Sequence, residues 1–415
     1  MKALVIGSGG REHALVWKLA QEAEVFCTPG NAGIAKMCFT ADVLPKDKER
    51  IVTLAQRVEA DFVVVGSEEP LIHGLGDDLR AAGIAVVGPS SDAAQLEGSK
   101  AFSKRMMVEA KVPTADYGEF NDPDSAKHYV AEMFAKGRNV AVKASGAAFG
   151  KGVTVCLTQE EADEAIAQAM IEKAFGTAGE TLVIEDCLFG KEFSLLTLVS
   201  GTSYRSLPVA QDYKRAYDGD RGPNTGGMGS YSPVAWLGED LVRTTEERVV
   251  EPLLKNLAVR GIDFRGVLFS GIMVVGGEPF CLEYNVRFGD PETQTIVRRL
   301  GAGFAEALRA VANGEPVPEF EVGGHAAITV VMASEGYPGK VKMGRSVTIP
   351  DDLPEEVVVF HAGTATLVDD LVTAGGRVLG VSATGKDLPE ARKAAYEAAE
   401  RIEYKGKSFR TDVGA

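Results

Sequence analysis

Short apolar runs alternate with helical segments over the first hundred residues, and this pattern constrains the fold more than any other feature. Residues 2–6, 62–65 and 84–87 are apolar almost throughout, while residues 49–58 place apolar side chains at helical spacing. Strands that are apolar on both faces are typical of parallel sheets covered by helices. The first hundred residues therefore predict an open parallel α/β sheet.

Changes in pattern divide the rest of the chain. A Pro/Gly-rich stretch at residues 316–324 indicates the last boundary. The predicted organisation is multidomain, α/β and α+β, and it comprises an N-terminal α/β domain at 1–100, a region with a Gly-rich loop at 101–190, a central region at 191–320 and a small C-terminal α+β domain at 321–415.

Local signals predict several elements within these regions. Thr158 and Glu161 form a capping-box pattern before a helix, and Gly276-Gly277 separates two strands of a hairpin. Residues 210–231 are polar and Gly-rich over more than the roughly 12–15 residues of ordinary connections, which predicts a long functional or disordered loop. Residues 290–313 predict one helix.

The charge of the chain limits its partners. The chain has 44 Lys and Arg residues and 59 Asp and Glu residues, which gives a net charge of −15. A surface of this sign repels a nucleic-acid duplex, so we expect no nucleic-acid partner. A local basic patch can still bind phosphate.

The cysteines and the apolar runs indicate the compartment. The five cysteines are scattered and form no CxxC pair, which is typical of buried thiols in a reducing environment. The first apolar run is shorter than the roughly 7–15 residues of a signal-peptide core, and no run reaches the roughly 20 of a membrane span. We therefore expect a cytoplasmic protein without a membrane partner.

The 47 glycines exceed the usual share of roughly 7%, and several lie in clusters. Gly7, Gly9 and Gly10 follow the first strand and precede a helix, where backbone amides can hold a phosphate. The dinucleotide pattern GxGxxG fails because Glu12 occupies the place of its third glycine. A phosphate site for another ligand and a purely structural turn both remain open.

A second cluster lies between two predicted strands, from Lys143 to Gly152. Its glycines allow backbone amides to approach a phosphate, and Lys143 and Lys151 can neutralise its charge. It is not a Walker A loop, because no Ser or Thr follows Lys151. A Gly-rich hairpin with solvated lysines is the structural alternative.

Glu283, Asn285 and Arg287 alternate along a predicted strand and so share one face. Buried polar groups need partners, so these side chains make a poor core. Carboxylate and amide oxygens suit Mg²⁺, and a guanidinium suits a phosphoryl group. The glycines between residues 222 and 229 suit backbone contact with a ligand, although a flexible connector has the same composition.

These motifs bear a resemblance to a known family. The chain contains, in order, GSGGREHA, QLEGSKAFSK, GAAFGKGV, QDYKR, GPNTGGMG and EYNVRFGDPETQ, followed by GYPG, FHAGT and GGRVL. It resembles the phosphoribosylamine–glycine ligases of the ATP-grasp superfamily over nearly its whole length. GPNTGGMG with RFGDPETQ is the most specific part of the resemblance.

The resemblance implies an architecture and a reaction. Residues 1–100 would bind substrate, 101–190 would carry the lid of an ATP-grasp module, and 191–320 would hold its metal and substrate sites. ATP would phosphorylate glycine, and 5-phosphoribosylamine would then displace phosphate to give glycinamide ribonucleotide in purine biosynthesis. The implied cofactors are ATP and Mg²⁺ or Mn²⁺. The oligomeric state stays open, with a monomer among the options.

The resemblance also implies site residues. Lys104 and Lys143 would contact ATP phosphates beneath a mobile loop, with adenine and ribose further along the cleft. Glu185 and Leu188 would lie at adenine, and Glu192 at the ribose. The complete nucleotide set is Lys104, Lys143, Gly146, Gly150, Lys151, Gly152, Glu185, Leu188 and Glu192. Glu283 and Asn285 would ligate the metal, and Arg287 with Lys143 would act in catalysis. The substrate set is Gly9, Gly10, Asp212, Asn224, Thr225, Gly226, Gly227, Met228 and Arg287.

Three positions depart from the family pattern. Ser145 stands where Asp is usual, Phe149 where a small residue is usual, and Lys191 where an acidic residue is common. These changes put ATP affinity in doubt more than the reaction itself, because no expected phosphate or metal ligand is lost.

Three other functions fit the motifs less well. Another ATP-grasp enzyme would share Glu283 and Asn285 but not GPNTGGMG. A dinucleotide-dependent oxidoreductase is disfavoured by Glu12, and a nucleotide-binding regulatory protein by the retention of Lys143 and Arg287.

Overall fold

The N-terminal part of the chain folds as the predicted parallel sheet. The computed structural model describes residues 1–146 and 152–415. The first elements are β1 Lys2–Gly7, α1 Gly10–Leu19, β2 Glu24–Pro29, β3 Phe39–Thr40, α2 Lys48–Arg57, β4 Phe62–Val65, α3 Glu68–Ile72, α4 Leu75–Ala81, β5 Val86–Val87 and α5 Ser91–Gly98. The strand order is β3-β2-β1-β4-β5, and each pair is parallel. The predicted fold class is confirmed here.

A small antiparallel sheet follows. Its elements are α6 Lys100–Glu109, β6 Tyr117–Phe120, α7 Pro123–Ala135, β7 Val140–Ala144, β8 Val153–Cys156, α8 Gln159–Ile166 and β9 Leu182–Asp186. The order is β6-β9-β7-β8, with α7 and α8 packed on a hydrophobic core of their own. The predicted capping box is present, since the Thr158 side chain accepts from Glu161 N–H while Glu161 caps in return.

The central sheet is formed by long antiparallel strands. This part of the chain contains β10 Lys191–Ser200, β11 Ser203–Ser206, β12 Gln211–Asp212, β13 Arg215–Tyr217, β14 Arg221–Asn224, β15 Gly229–Ser232, α9 Glu239–Thr245, α10 Glu251–Val259, β16 Arg265–Val275, β17 Glu278–Asn285, α11 Glu292–Ile296 and α12 Phe304–Asn313. The order is β11-β10-β16-β17. Positive φ angles at Gly276 and Gly277 form the tight turn predicted between β16 and β17.

The C-terminal sheet combines strands from two distant parts of the chain. Its last elements are β18 Ala326–Ala333, β19 Val357–His361, β20 Thr364–Leu367, β21 Asp370–Thr373, β22 Arg377–Gly385 and α13 Leu388–Arg401. The order is β12-β15-β18-β22-β19, so two strands from the central part extend this sheet. Alanines of α13 pack on β18 and β22.

The N-terminal and central sheets share their hydrophobic core. Leu4 and Ile6 of β1 pack in one cluster with Phe193 and Leu268, whereas the alternate residue Val5 packs in a second cluster on the other face. This packing joins the two sheets, and Glu68, which follows the carboxyl end of β4, lies 3.5 Å from Arg287, which follows β17. Within the described ranges, no helix is both long and apolar enough to cross a membrane.

Two predictions of local structure are wrong. Residues 210–231 are not an irregular loop, because β12 and β15 join the C-terminal sheet and β13 and β14 form a hairpin. Residues 290–313 are not one helix, because the chain is extended at Leu300 and left-handed at Gly303, which separates α11 from α12. In the first case the pairing partner, β18, lies about a hundred residues away, beyond the reach of local patterns.

Candidate active site

A buried carboxylate joins two of the predicted phosphate-binding lysines. Glu185 Oε2 lies 3.0 Å from Lys104 Nζ, and its Oε1 lies 2.9 Å from Lys143 Nζ. Lys104 Nζ also donates to Thr114 Oγ1 at 2.6 Å. Glu185 of β9 therefore bridges Lys104 of α6 and Lys143 of β7.

The register of the sheet explains this cluster. Lys143 of β7 pairs with Val183 of β9, and Ala141 pairs with Glu185, so Lys143 and Glu185 are diagonal neighbours on one face. Burial alone would lower the pKa of Lys143, but Glu185 outweighs it and raises that pKa. Lys143 therefore stays charged while buried. Contact of Glu185 with adenine stays a prediction, and it would require these ion pairs to rearrange.

Removing the charge of Glu185 should destabilise the folded protein. In Glu185→Gln, two buried lysines lose their common partner, and breaking such a pair costs about 3 kcal/mol of unfolding free energy. Urea titration of both proteins measures this loss. Glu119→Gln is the matched control, because its ion pair with Arg105, 58% exposed, lies at the surface and should contribute below about 1 kcal/mol. Equal stabilities for wild type and Glu185→Gln would contradict the assigned role.

Lys100 is a site residue that the sequence reasoning missed. It lies one turn before Lys104 on α6, so the two share a helix face, and this i, i+4 spacing was the signal available in the sequence. Burial lowers the pKa of Lys100, whereas the charge of Glu283 acts in the opposite direction. Lys100 thus belongs to the group of lysines around Glu283.

The predicted metal ligands lie at the end of β17. Burial alone would raise the pKa of Glu283, but Lys214, Lys143 and Lys100 outweigh it and hold the pKa below its usual value. Asn285 follows two residues later on the same strand. The structure therefore brings an ionised carboxylate next to lysines from other parts of the chain.

A second group of acidic residues surrounds Lys214. Lys214 Nζ lies 2.6 Å from Glu192 Oε2. Burial raises the pKa of Asp212, despite the opposing charge of Lys214, and burial also raises the pKa of Glu292, which accepts from Ser194 Oγ at 3.0 Å. This part of the cleft carries more carboxylates than cations.

Arg287 is held by two carboxylates from the N-terminal domain. Its Nη2 lies 3.0 Å from Glu97 Oε1, and its Nε lies 3.5 Å from Glu68 Oε2. Glu97 also accepts from Val286 N–H at 2.7 Å, and burial raises the pKa of Glu97 to about 7. The guanidinium is therefore anchored at the junction between α5 and the end of β17.

The Gly-rich loop is described only at its two ends. Gly146 N–H donates to Ala178 O at 3.0 Å, and Gly152 O accepts from Ala144 N–H at 2.8 Å. The predictions for Gly150 and Lys151, and the departure at Phe149, lie outside the described residues. Leu188 lies in the connection after β9 and is half-buried.

Glu12 explains the first glycine cluster. Its Oε2 accepts from Gly9 N–H at 2.6 Å, and its Oε1 accepts from Arg11 Nε at 2.7 Å. A Cβ on Gly7 or Gly66 would lie within 2.3 Å of a Glu12 side-chain atom, so these glycines make room for the carboxylate. Glu12, which breaks the dinucleotide pattern, thus caps the N-terminus of α1 with its carboxylate. Gly10 lies against Gln294.

The residues from 224 to 228, called here the 224–228 turn, adopt a fixed shape. Thr225 Oγ1 donates to Lys214 O at 2.9 Å and accepts from Gly227 N–H at 3.0 Å. Asn224 pairs with Arg215, and Met228 is buried. The alternative of a flexible connector is therefore not supported.

The described departures from the family pattern have structural partners. Ser145 Oγ accepts from Ala101 N–H at 3.1 Å and so helps to cap α6. Lys191 Nζ lies 5.3 Å from the ring centroid of Trp236. Because neighbouring strand residues point to opposite faces, this charge lies away from Glu192.

The parallel sheet, the two antiparallel sheets that follow it and the buried cluster of Lys104, Glu185 and Lys143 define an ATP-grasp protein. Solved structures share this fold. The biotin carboxylase domain of 2-oxoglutarate carboxylase from Hydrogenobacter thermophilus, solved with magnesium ADP, aligns with a TM-score of 0.73 at 20% identity, covering 98% of this chain and 91% of that one. At that identity the likeness shows the fold alone.

Family models identify the particular group. Those for the N, ATP-grasp (A) and C domains of phosphoribosylglycinamide synthetase match residues 1–97, 98–293 and 327–415. The chain belongs to this family, the phosphoribosylamine–glycine ligases.

Relatives from distant organisms agree with this membership. The phosphoribosylamine–glycine ligase of Rhizobium meliloti is 45% identical over 418 residues, which are 100% of this chain and 98% of that protein. The trifunctional purine biosynthetic protein adenosine-3 of Gallus gallus is 44% identical over 100% of this chain and 42% of its own length. The crystal structure of the Thermotoga maritima ligase has a TM-score of 0.87 at 35% identity and covers both chains completely.

Proposed function

We propose that the chain joins glycine to 5-phosphoribosylamine with ATP, as a ligase of purine biosynthesis. A carboxylate oxygen of glycine attacks the γ-phosphorus of ATP, ADP leaves, and glycyl phosphate forms. The amine nitrogen of phosphoribosylamine then attacks the acyl carbon and loses a proton, while the bond to phosphate breaks. The products are glycinamide ribonucleotide, ADP and phosphate.

One observation carries this proposal: Lys104 and Lys143, which come from different parts of the chain, both lie within 3.0 Å of the buried Glu185 carboxylate. Phosphoryl transfer depends on positioning and on neutralising charge more than on a proton-transferring base. Cations gathered around one carboxylate supply both requirements. Family membership then indicates which carboxylate and which amine are joined.

The nucleotide contacts proposed here are those that the family pattern implies. We propose that Lys104 and Lys143 hold the ATP phosphates, that Gly146, Gly150, Lys151 and Gly152 belong to the loop covering them, and that Glu185 with Leu188 lies near adenine. Glu192 would accept from the ribose hydroxyls. Glu185 and Glu192 hold lysines through ion pairs, which fix the positions of those lysines.

The residues at the end of β17 fit a divalent cation. Glu283 is held ionised by the lysines, and Asn285 offers an amide oxygen, which are hard ligands suited to Mg²⁺ or Mn²⁺. Among residues 1–146 and 152–415, there is no cluster of three or more His, Cys, Asp or Glu side chains that could hold a metal by themselves. Mg²⁺ is commonly shared between one or two side chains and substrate phosphates. The bound ion would neutralise phosphate charge.

The substrates would bind next to these groups. We propose that Arg287 stabilises the acyl phosphate, and that Gly9, Gly10, Asp212 and the 224–228 turn hold glycine and phosphoribosylamine. We also propose a cytoplasmic enzyme that acts on small molecules, with a monomer as the simplest assembly.

The dependence of ADP release on both substrates tests the function. With Mg²⁺ and ATP, we expect ADP release only when glycine and phosphoribosylamine are both present, because the first step needs a carboxylate and the second needs an amine. Coupled measurement of ADP, with mass spectrometry of the ribonucleotide product, gives the result. Reactions lacking each substrate in turn are the controls, and ADP release indifferent to glycine would reject the ligase assignment.

A further inference from the structure

Arg377, the first residue of β22, joins two segments that carry proposed substrate contacts. Its Nη2 lies 2.9 Å from Asp290 Oδ2, and its Nη1 donates to Asp290 O at 3.1 Å. The same Nη1 donates to the carbonyl oxygens of Gly226 and Gly227, the latter at 3.3 Å. One guanidinium from the C-terminal domain therefore holds the 224–228 turn against the loop after β17.

Tyr337 holds the same turn from a second direction. Its hydroxyl accepts from Gly226 N–H at 3.1 Å. The Tyr337 ring packs over Gly376, where an added Cβ would lie 2.4 Å from the ring atom Cδ2. The residue beside Arg377 must therefore be small for Tyr337 to reach the turn. Both the N–H and the C=O of Gly226 are thus bound by C-terminal side chains.

The turn itself is shaped to fit between these groups. Gly227 has a φ of +104°, and a Cβ there would lie 2.4 Å from Pro291 Cδ. A Cβ on Gly226 would lie 3.0 Å from the Arg377 guanidinium carbon. Neither glycine can take a side chain without displacing Arg377 or Pro291, so the close approach requires both.

Asp290 connects this arrangement to the N-terminal domain. Its Oδ1 accepts from Gln294 Nε2 at 2.7 Å, and that amide lies against Gly10. A Cβ on Gly9 would lie 3.9 Å from Asp290 Oδ2. Arg377 thus acts at the point where the N-terminal, central and C-terminal parts of the chain meet.

The position of the turn indicates which substrate it serves. Arg287 lies along the chain between the proposed metal ligand Glu283 and Asp290, the partner of Arg377, and its Nη1 donates to Phe288 O at 3.2 Å. In the proposed reaction, phosphoryl transfer takes place beside Glu283 and Lys143, where glycine and the ATP phosphates are needed. Phosphoribosylamine is longer than glycine. It is therefore the substrate that can reach from this place to the contact between Arg377 and Asp290.

We propose that Arg377 and Tyr337 are positioning residues that hold the 224–228 turn in the shape that receives phosphoribosylamine. The C-terminal domain thereby determines the affinity for one substrate without touching ATP. This inference rests on the proposed function, because it assumes that the turn contacts a substrate of the ligase reaction.

Steady-state kinetics of three variants test the proposal. In Arg377→Met the turn loses hydrogen bonds to a charged group, and we expect the KM for phosphoribosylamine to rise about tenfold to a hundredfold. The KM values for ATP and glycine should stay within about twofold of wild type. Arg377→Lys should restore part of the affinity, since lysine keeps the charge but not the planar fork. Tyr337→Phe, which removes a single hydroxyl, should raise the same KM about fivefold.

Arg401→Met is the matched control. Arg401 belongs to the same domain, but its guanidinium pairs with the exposed Asp352, far along the chain from the turn. Its three KM values should equal those of wild type. Thermal unfolding of every variant separates a general loss of structure from a specific loss of affinity.

The outcomes are distinct. A selective rise for phosphoribosylamine, graded from Arg377→Met to Arg377→Lys, supports the proposal. Equal rises for all substrates, a rise confined to ATP or glycine, or unchanged values in both Arg377→Met and Tyr337→Phe overturn it. If Arg377→Met unfolds, the KM of Tyr337→Phe for phosphoribosylamine alone tests the proposal. A wild-type protein that releases no ADP with both substrates present instead rejects the proposed function itself.

Discussion

Glu283→Ala is expected to lower ligase turnover by about a thousandfold while the protein stays folded. The variant loses a proposed metal ligand and a carboxylate whose pKa is lowered by the charges of Lys214, Lys143 and Lys100. Without it, the lysines repel one another and the cation loses a hard ligand at the site of phosphoryl transfer. The rate of ADP release with saturating glycine and phosphoribosylamine measures the effect.

Two further variants make this experiment decisive. Glu283→Gln keeps the shape of the side chain but not its charge, and should be nearly as inactive as Glu283→Ala. Glu278→Ala is the control on the same strand, because Glu278 is 57% exposed and pairs with Arg248 at the opposite end of β17. Circular dichroism should show folded protein in each case. Activity of Glu283→Ala within tenfold of wild type would refute the metal assignment.

Arg410→Met is expected to lower the free energy of unfolding by about 3 kcal/mol, because it removes the charged hydrogen bonds that the buried guanidinium makes to Asp412, Asp220 and the Arg215 carbonyl. The Arg410 side chain is only 1% exposed and lies 2.6 Å from Asp412 Oδ2 and 3.0 Å from Asp220 Oδ1. Its guanidinium carbon lies 4.7 Å from the ring centroid of Tyr213. The C-terminal segment thereby fastens the β13–β14 hairpin, which precedes the 224–228 turn.

Urea titration measures this loss, and limited proteolysis locates it. Cleavage within residues 213–224 should become faster in Arg410→Met, because the hairpin loses its main anchor. Arg401→Met should unfold within about 0.5 kcal/mol of wild type, since its partner Asp352 is exposed. A stability of Arg410→Met equal to that of Arg401→Met would show that the hairpin is held by other contacts.

Local patterns predicted the elements whose partners lie nearby. The parallel strands, the capping box at Thr158 and the hairpin at Gly276-Gly277 are all confirmed, because periodicity, caps and turn residues act over a few positions. The same reasoning was wrong at residues 210–231, because β15 pairs with the distant β18, and the β12–β15 and β13–β14 pairs lie in a polar, Gly-rich stretch without a local strand pattern.

The site shows the same division. Lys104, Lys143 and Glu283 were predicted from motifs, and the structure shows Lys104 and Lys143 paired with one carboxylate, that of Glu185. Arg377 and Tyr337 could not be predicted, because their contacts with Gly226 join residues more than a hundred positions apart. Motifs indicate which residues carry chemistry, whereas contacts between domains indicate which residues hold them in place.

The sequence by itself determined the class of protein, its family and the identity of most proposed ligands, since these depend on residue types at short spacing. Only the tertiary structure decided that the Glu12 carboxylate occupies the space beside the first glycine cluster and that Glu185 bridges two lysines. It also decided that side chains of the C-terminal domain bind the 224–228 turn. The physical reason is the same in each case. A buried charge or a close backbone approach is stable only when its partner is present, and the partner is brought there by the fold.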